Sequence, residues 1–240
     1  SFRKQPTQAT GGGIWFDLSM SPGNPVPNYY IGTAGVFTPL KRSTDGGIDH
    51  GPSVGQFGQK KFLRKMMALT PTATAAPLTM ILMDYIGVYG FIDESVTDEQ
   101  FLDNTIAPTR YADGRGVQIM PVVVAGQSGG QTFSFNYTNQ DGVSGRITPP
   151  VKMTTQAVNG TILSSLSAGD QYGGPFVPLQ AGDSGVRTIE SVTIGGVGDV
   201  GLFALVLVKP LATLDVRGID APTAVDYLTD RGCSLPEIQD

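Results

Sequence analysis

The sequence predicts a mainly β protein: a β-sandwich or jelly-roll-like antiparallel domain with long Gly/Pro-rich extended arms at its N-terminal and C-terminal ends. Three observations carry that class. The 240 residues hold 32 glycines and 17 prolines with only 15% charged side chains, a balance that suits many turns and few long helices. In "QTFSFNYT", Phe133, Phe135 and Tyr137 alternate with Thr132, Ser134, Asn136 and Thr138, so an extended backbone presents one aromatic and one polar face. Short apolar runs bounded by glycine clusters recur from residue 112 to residue 212, the spacing of a strand-and-turn domain.

Residues 1–59 read as an extended arm or loop region. "TGGGIW", "MSPGNPVPNYYIGTAG" and "STDGGIDHGPSVGQFGQ" show no sustained periodicity, and Pro25 and Pro27 lack the amide donors that a regular internal strand needs. Trp15, Phe16, Tyr29, Tyr30 and Phe37 are too aromatic for a free linker, and the expectation is that they anchor the arm on a neighbouring subunit. Residues 60–212 form the β-rich core, clearest as a sandwich over 112–212. "LTMILMDYIGVYG" is the first buried strand, and "TPTATAAP" before it a loop or an edge. In "DESVTDEQFLDNT", Asp93 or Ser95 stands as a cap ahead of Glu94, Asp98 and Glu99, which predicts the chain's one short helix, its acids facing the positive helix start.

"VQIMPVVVA" and "QTFSFNYT" follow as two strands separated by "GQSGG", and Asp141-Gly142 turns the chain into "VSGRITPPVKMTTQAV", giving a meander. "VRTIESVTI" and "GLFALVLVKPL" are two further strands, expected to pair across "GGVGDV". Residues 213–240 lose the pattern and read as an extended C-terminal tail. No internal repeat sets a solenoid or propeller period.

Composition narrows the function. The net charge is −5, which argues against a protein that works by neutralising phosphates, so no direct nucleic-acid partner is expected. Cys233 is the single cysteine, which rules out an intrachain disulfide and a cysteine-based metal site. The start of the chain lacks the apolar run of a signal peptide, and "LFALVLV" at 202–208 is too short for a membrane-spanning helix; the expectation is a soluble protein made in a cytoplasm, with no membrane partner.

"LQAGDSGVRTIESVT" contains Gly182-Asp183-Ser184-Gly185, the surroundings of the nucleophile in trypsin-like serine proteases. His50, then Asp84 or Asp103, then Ser184 even fall in the chain order of that triad. Yet His50 lies in the polar loop "DGGIDHGPS", and Val186 stands where the protease motif has a second glycine. The reading favoured here is a turn in which Asp183 and Ser184 bond local amides, leaving Arg187 for a local carboxylate or a neighbouring subunit. No catalytic residue, cofactor site or metal site is assigned. A loop-bound calcium ion would be a structural staple at most, and "GGVGDVG" has neither the Gly-Lys-Ser/Thr of a P-loop nor a following helix.

Lys60, Lys61, Arg64 and Lys65, with Lys41 and Arg42 upstream, cluster in an otherwise acidic chain. Such a cluster serves as a solvated edge or as a steering patch for an acidic partner surface. With Arg187 and the five aromatics, Lys60, Lys61, Arg64 and Lys65 complete the candidate interface.

"YYIGTAGVFTPL", "KKFLRKMMALTPTATAAPLTMILMDYIGVYGFIDE", "TDEQFLDNTIAPTRYADGRGVQIMPVVVAGQSGGQTFSFNYTNQDGVSGR" and "GPFVPLQAGDSGVRTIESVTIGGVGDVGLFALVLVKPL" together resemble virion structural proteins of tailed bacteriophages. The resemblance implies a virion component present in many copies, a capsid decoration or minor capsid protein, assembled in the host cytoplasm. Its implied partners are itself and other virion proteins such as the major capsid protein. A tail, baseplate or receptor-binding module is the alternative, and a serine hydrolase the remote one.

Overall fold

The computed structural model describes residues 2–6, 8–41, 45–51, 60–167, 169–230, 232 and 234–239. The arm segment 52–59, Arg42 and Cys233 lie outside the described residues. In chain order the strands are β1 (Arg3–Lys4), β2 (Gly23–Asn24), β3 (Phe37–Pro39), β4 (Lys61–Phe62), β5 (Lys65–Ala68), β6 (Leu78–Asp93), β7 (Gln100–Phe101), β8 (Gln118–Ala125), β9 (Thr132–Asn139), β10 (Arg146–Ile147), β11 (Val151–Lys152), β12 (Val186–Ile194), β13 (Leu202–Val216), β14 (Thr223–Asp226) and β15 (Glu237–Ile238). Among the described residues the only helical elements are two 3-10 turns, Leu18–Met20 and Ala73–Ala75.

The chain divides into two compact units. The first comprises Ser1–Asp49 and Tyr85–Val208, and the second His50–Asp84 and Lys209–Asp240. This differs from a division at residues 59 and 212. The boundary falls inside β6 and β13, each of which contributes residues to both units.

The first unit is a sandwich. One sheet has the order β10-β9-β12-β7, with β11 on β9 as well, and the other has the order β3-β6-β13-β8. Their inner faces share one core, in which Phe133, Phe135, Tyr137, Ile189 and Val192 from the first sheet meet Ile86, Tyr89, Ile119, Val123, Phe203 and Leu205 from the second. The Phe133 and Phe203 ring centroids are 6.0 Å apart. Alternation sets this up on β9, where Phe133, Phe135 and Tyr137 are buried while the residues between them are half-exposed. Each aromatic or branched side chain withdrawn from water in this way contributes about 1.5–3 kcal/mol.

Strand identities follow the expected runs, but two connections differ. The "GQSGG" segment does not close a β8/β9 hairpin, since β8 pairs with β13 and β9 with β12. "GGVGDV" likewise joins β12 to β13 across the two sheets, not side by side within one. Apolar runs report that a strand is buried and not which sheet it enters. The Asp141-Gly142 turn does join β9 to β10, with Arg146 opposite Tyr137.

The helix expected in "DESVTDEQFLDNT" is absent. Asp93 does act as a cap, but of a turn: its Oδ1 accepts from the Ser95 amide at 2.8 Å and the Ser95 hydroxyl at 2.7 Å. The Gln100 side chain then donates to the Asp93 carbonyl at 2.8 Å and accepts from the Asp93 amide at 3.2 Å, returning the chain into β7. A capping residue satisfies a turn as readily as a helix.

In the second unit β4 pairs with β15 and β5 with β14, Met66 standing opposite Val225. Ala212, Leu214, Val216 and Val225 are buried there, whereas Phe62, Met67 and Leu69 are exposed.

Candidate functional site

Around the Gly-Asp-Ser-Gly stretch the first unit has a polar knot. The Asp183 carboxylate, almost fully buried, accepts from Arg146 Nε at 2.9 Å, from the Tyr137 hydroxyl at 2.6 Å and from Asn139 Nδ2 at 2.8 Å. The Tyr137 oxygen in turn accepts from the Gln180 amide at 2.9 Å. Burial works against the charged Asp183, but the bonds from Arg146, Tyr137 and Asn139 outweigh it and hold its carboxyl below the ordinary aspartate range. Burial, and then the bond to Asp183, push the Tyr137 hydroxyl up to about 12. β9 supplies Tyr137 and Asn139, and β10 supplies Arg146, so the knot ties the Asp183 turn to one edge of the sheet.

Ser184 is exposed, and what is fixed there is its backbone. The amides of Ser184 and Gly185 donate to Gln140 Oε1 at 2.9 and 3.1 Å, and the Ser184 carbonyl accepts from the Gly116 amide at 2.9 Å. Gly185 is required at its position because a Cβ would overlap the Gly114 carbonyl oxygen and approach the Gly116 nitrogen to 2.7 Å. The other members of the candidate triad are engaged locally. His50 Nδ1 lies 2.8 Å from Lys61 Nζ. Asp103 accepts from the amide and the hydroxyl of Thr105, which lower its pKa. These contacts suit a turn, with Asp183 as its peg.

The candidate interface residues do not behave as one set. Tyr30 and Phe37 fill the chain's own core, which corrects their reading as anchors for another subunit. Phe37 stacks tilted on Tyr89 at 5.1 Å, and the Tyr30 hydroxyl donates to buried Asp17, which also receives the Tyr85 hydroxyl at 2.8 Å and the Ser19 amide at 2.8 Å. Burial first, and then the Asp17 charge, raises both tyrosine pKa values well above normal. Trp15 and Phe16 are half-buried on their own chain: the Trp15 amide donates to Ser165 Oγ at 2.9 Å, and Phe16 bridges Thr161. Tyr29 alone of the five stands outward, 58% exposed, between Val26 at 69% and Ile31 at 82%.

Arg187 is taken by a carbonyl, donating through Nε and an Nη to the Gln140 oxygen at 3.2 and 2.8 Å. The nearby Asp183 carboxylate pairs with Arg146. In the basic cluster, Lys60 pairs with Glu237 at 2.8 Å, Arg64 stands 3.9 Å from Asp226, and Lys61 donates to the Gly51 carbonyl at 2.5 Å. Lys65 is exposed opposite Asp226. Much of this positive charge is therefore answered within the second unit, which favours the solvated-edge reading over a steering patch.

Sequence reasoning missed Glu94. Its acidic neighbours suggested an exposed helix start, yet the residue is 0% exposed and neither carboxylate oxygen has a hydrogen-bond partner among the described residues. No pattern in "FIDESVTDE" marks it, because the groups that meet it, the Gly201 carbonyl on its amide and the Asp199 charge beside it, lie more than a hundred residues away. In the second unit an open cavity of ≈ 470 Å³ is lined by Pro210, Leu211, Ala212, Thr213, Tyr227 and Ser234, without the convergent ionisable groups of a reactive site. Among the described residues no cluster of three or more His, Cys, Asp or Glu is arranged to hold a metal ion. No family model, curated protein or solved structure matches the chain.

Proposed function

We propose that the protein is a structural component of a bacteriophage virion, a capsid decoration or minor capsid protein that self-associates and binds a shell through surface loops. The observation that carries this reading is the apolar triplet Val26, Tyr29 and Ile31, which stands outward from a loop pinned by buried Tyr30, by the bond from the Tyr30 amide to Asn28 Oδ1 at 3.1 Å and by the bond from the Asn28 amide to the Ser19 carbonyl at 3.0 Å. Single exposed apolar residues are ordinary, but three on one pinned loop form a preorganised knob of the sort that supplies interface hot spots. The resemblance to tailed-phage virion proteins points the same way. The test is Tyr29→Ser with Ile31→Ser, followed by sedimentation velocity and by incorporation into particles of the encoding virus. We expect a folded protein that no longer associates; association at the wild-type level overturns the proposal.

A tail or receptor-binding module is the second reading, favoured by one feature. On the outer face of the first sheet Phe101 is 77% exposed. Beside it, Asn136 Nδ2 donates to Glu99 Oε1 at 2.8 Å and to Ser191 Oγ at 3.0 Å. An exposed ring beside fixed polar groups is sugar-binding chemistry. Glycan binding that is lost in Phe101→Ala would select this reading.

A further inference from the structure

Three loops of the first unit meet at one end of the sandwich: 94–99 after β6, 126–131 after β8 and 195–201 after β12. They are cross-tied by hydrogen bonds. The Glu94 amide donates to the Gly201 carbonyl at 3.0 Å, the Ser128 amide to the Val200 carbonyl at 2.9 Å, and the Val200 amide to Ser128 Oγ at 3.0 Å. Gln131 contributes two more, its amide to Asp199 Oδ2 at 2.9 Å and its side chain to the Val197 carbonyl at 3.1 Å. Gly201, at φ +143°, lies so close to Gly126 and Gln127 that a side chain there would strike the Gly126 carbonyl.

Into this packed end the chain places two buried carboxylates, Glu94 and Asp199. Asp199 has its amide donor. Glu94 has none among the described residues, and a buried ionised carboxylate without a partner is among the most costly arrangements a fold can hold. The charges acting on Glu94 are both negative: Asp199 from the 195–201 loop and Asp93 at the end of its own strand. The 126–131 loop, "GQSGGQ", brings no ionisable group.

We propose that Glu94 is a proton-held latch, keeping the three loops closed while its carboxyl is protonated and loosening them when it ionises beside Asp199. The direction agrees with the electrostatics, since burial first, and then Asp199 and Asp93, push the Glu94 carboxyl up to about 8. The loops therefore loosen progressively as pH rises toward and through about 8; Val96, Val197 and Val200 stand exposed in two of them even when closed.

Hydrogen exchange on the full chain between pH 6 and 9.5, corrected for the intrinsic pH dependence of amide exchange, tests the latch. Wild-type protection of peptides covering 94–99, 126–131 and 195–201 is expected to fall about tenfold or more between pH 7 and 9, while that of β9 and β13 holds. Glu94→Gln should keep the loops protected across the range, and Asp199→Asn, which brings the folded-state pKa of Glu94 back toward its ordinary value, should shrink the loss of protection. Loops that stay closed in the wild type at pH 9.5, or a Glu94→Gln variant that still opens, overturn the proposal. So does calcium restoring protection at pH 9 in the wild type but not in Glu94→Gln, which would assign the site to a cation. If Glu94→Gln does not fold, Asp199→Asn decides alone: a fall in protection as large as the wild type's overturns the proposal.

Discussion

Asp183 and Glu94 are both buried acids of the first unit, and their surroundings give them opposite pH signatures. Asp183 has three donors and a folded-state pKa below the ordinary aspartate value, so its stabilisation is present above that ordinary value and is lost as pH falls through the lowered one. Asp183→Ala leaves Arg146 and Tyr137 facing a space they cannot satisfy, and we expect a loss of about 3 kcal/mol or more in urea unfolding at pH 7. Glu94 is the reverse case. Its raised folded pKa of about 8 means that its contribution is complete below the ordinary glutamate value and declines as pH rises through about 8, by about 1.4 kcal/mol per unit of displacement. Urea unfolding at pH 5, 7 and 9 should therefore show a wild-type decline of a few kcal/mol that Glu94→Gln lacks. Ser184 offers a contrast, for its hydroxyl is exposed. Ser184→Ala should change stability by less than about 0.5 kcal/mol; a larger change would show the hydroxyl engaged in something the turn does not need.

At the scale of elements, what was legible was the local pattern. The alternation in "QTFSFNYT" became β9, and the Asp141-Gly142 turn became the β9/β10 connection. Two glycine-rich connections expected to fold back within a sheet cross between sheets instead, and the expected helix became a turn clasped by Gln100. Both outcomes depend on which partner strand offers its edge, information carried by β12 and β13 and not by the loops themselves. The Gly-Asp-Ser-Gly stretch belongs to this scale too, because Gly185 bridges Arg115 in a neighbouring segment and has no room for a methyl group. Gly185→Ala is expected to cost more than about 2 kcal/mol in urea unfolding, since backbone, not a flexible side chain, occupies the space. A neutral outcome would mean that the 114–116 segment yields easily.

For the whole molecule, the N-terminal region is where sequence and structure part most. Its aromatics needed burial, as their number indicated, but Tyr30 and Phe37 find it within their own chain and Asp17 is bonded by two tyrosine hydroxyls. Deleting residues 1–40 should therefore disrupt the first unit itself, which circular dichroism and exposure of dye-binding apolar surface would report. Tyr29→Ser with Ile31→Ser should leave its melting temperature nearly unchanged. Equal melting curves for the truncated and full chains would return the segment to the status of a detachable arm.

The sequence by itself determined the mainly β class, most strand positions and the absence of an intrachain disulfide, because side-chain alternation, glycine and proline placement and residue counts act locally or need no geometry. Only the tertiary structure decided which strands share a sheet, where the units divide, that Tyr30 and Phe37 lie inward while Tyr29 and Ile31 stand outward, and that Glu94 is buried beside Asp199. Each of these depends on a segment far away in the chain being brought close, and burial and charge coupling are properties of that closeness, not of any one stretch of residues.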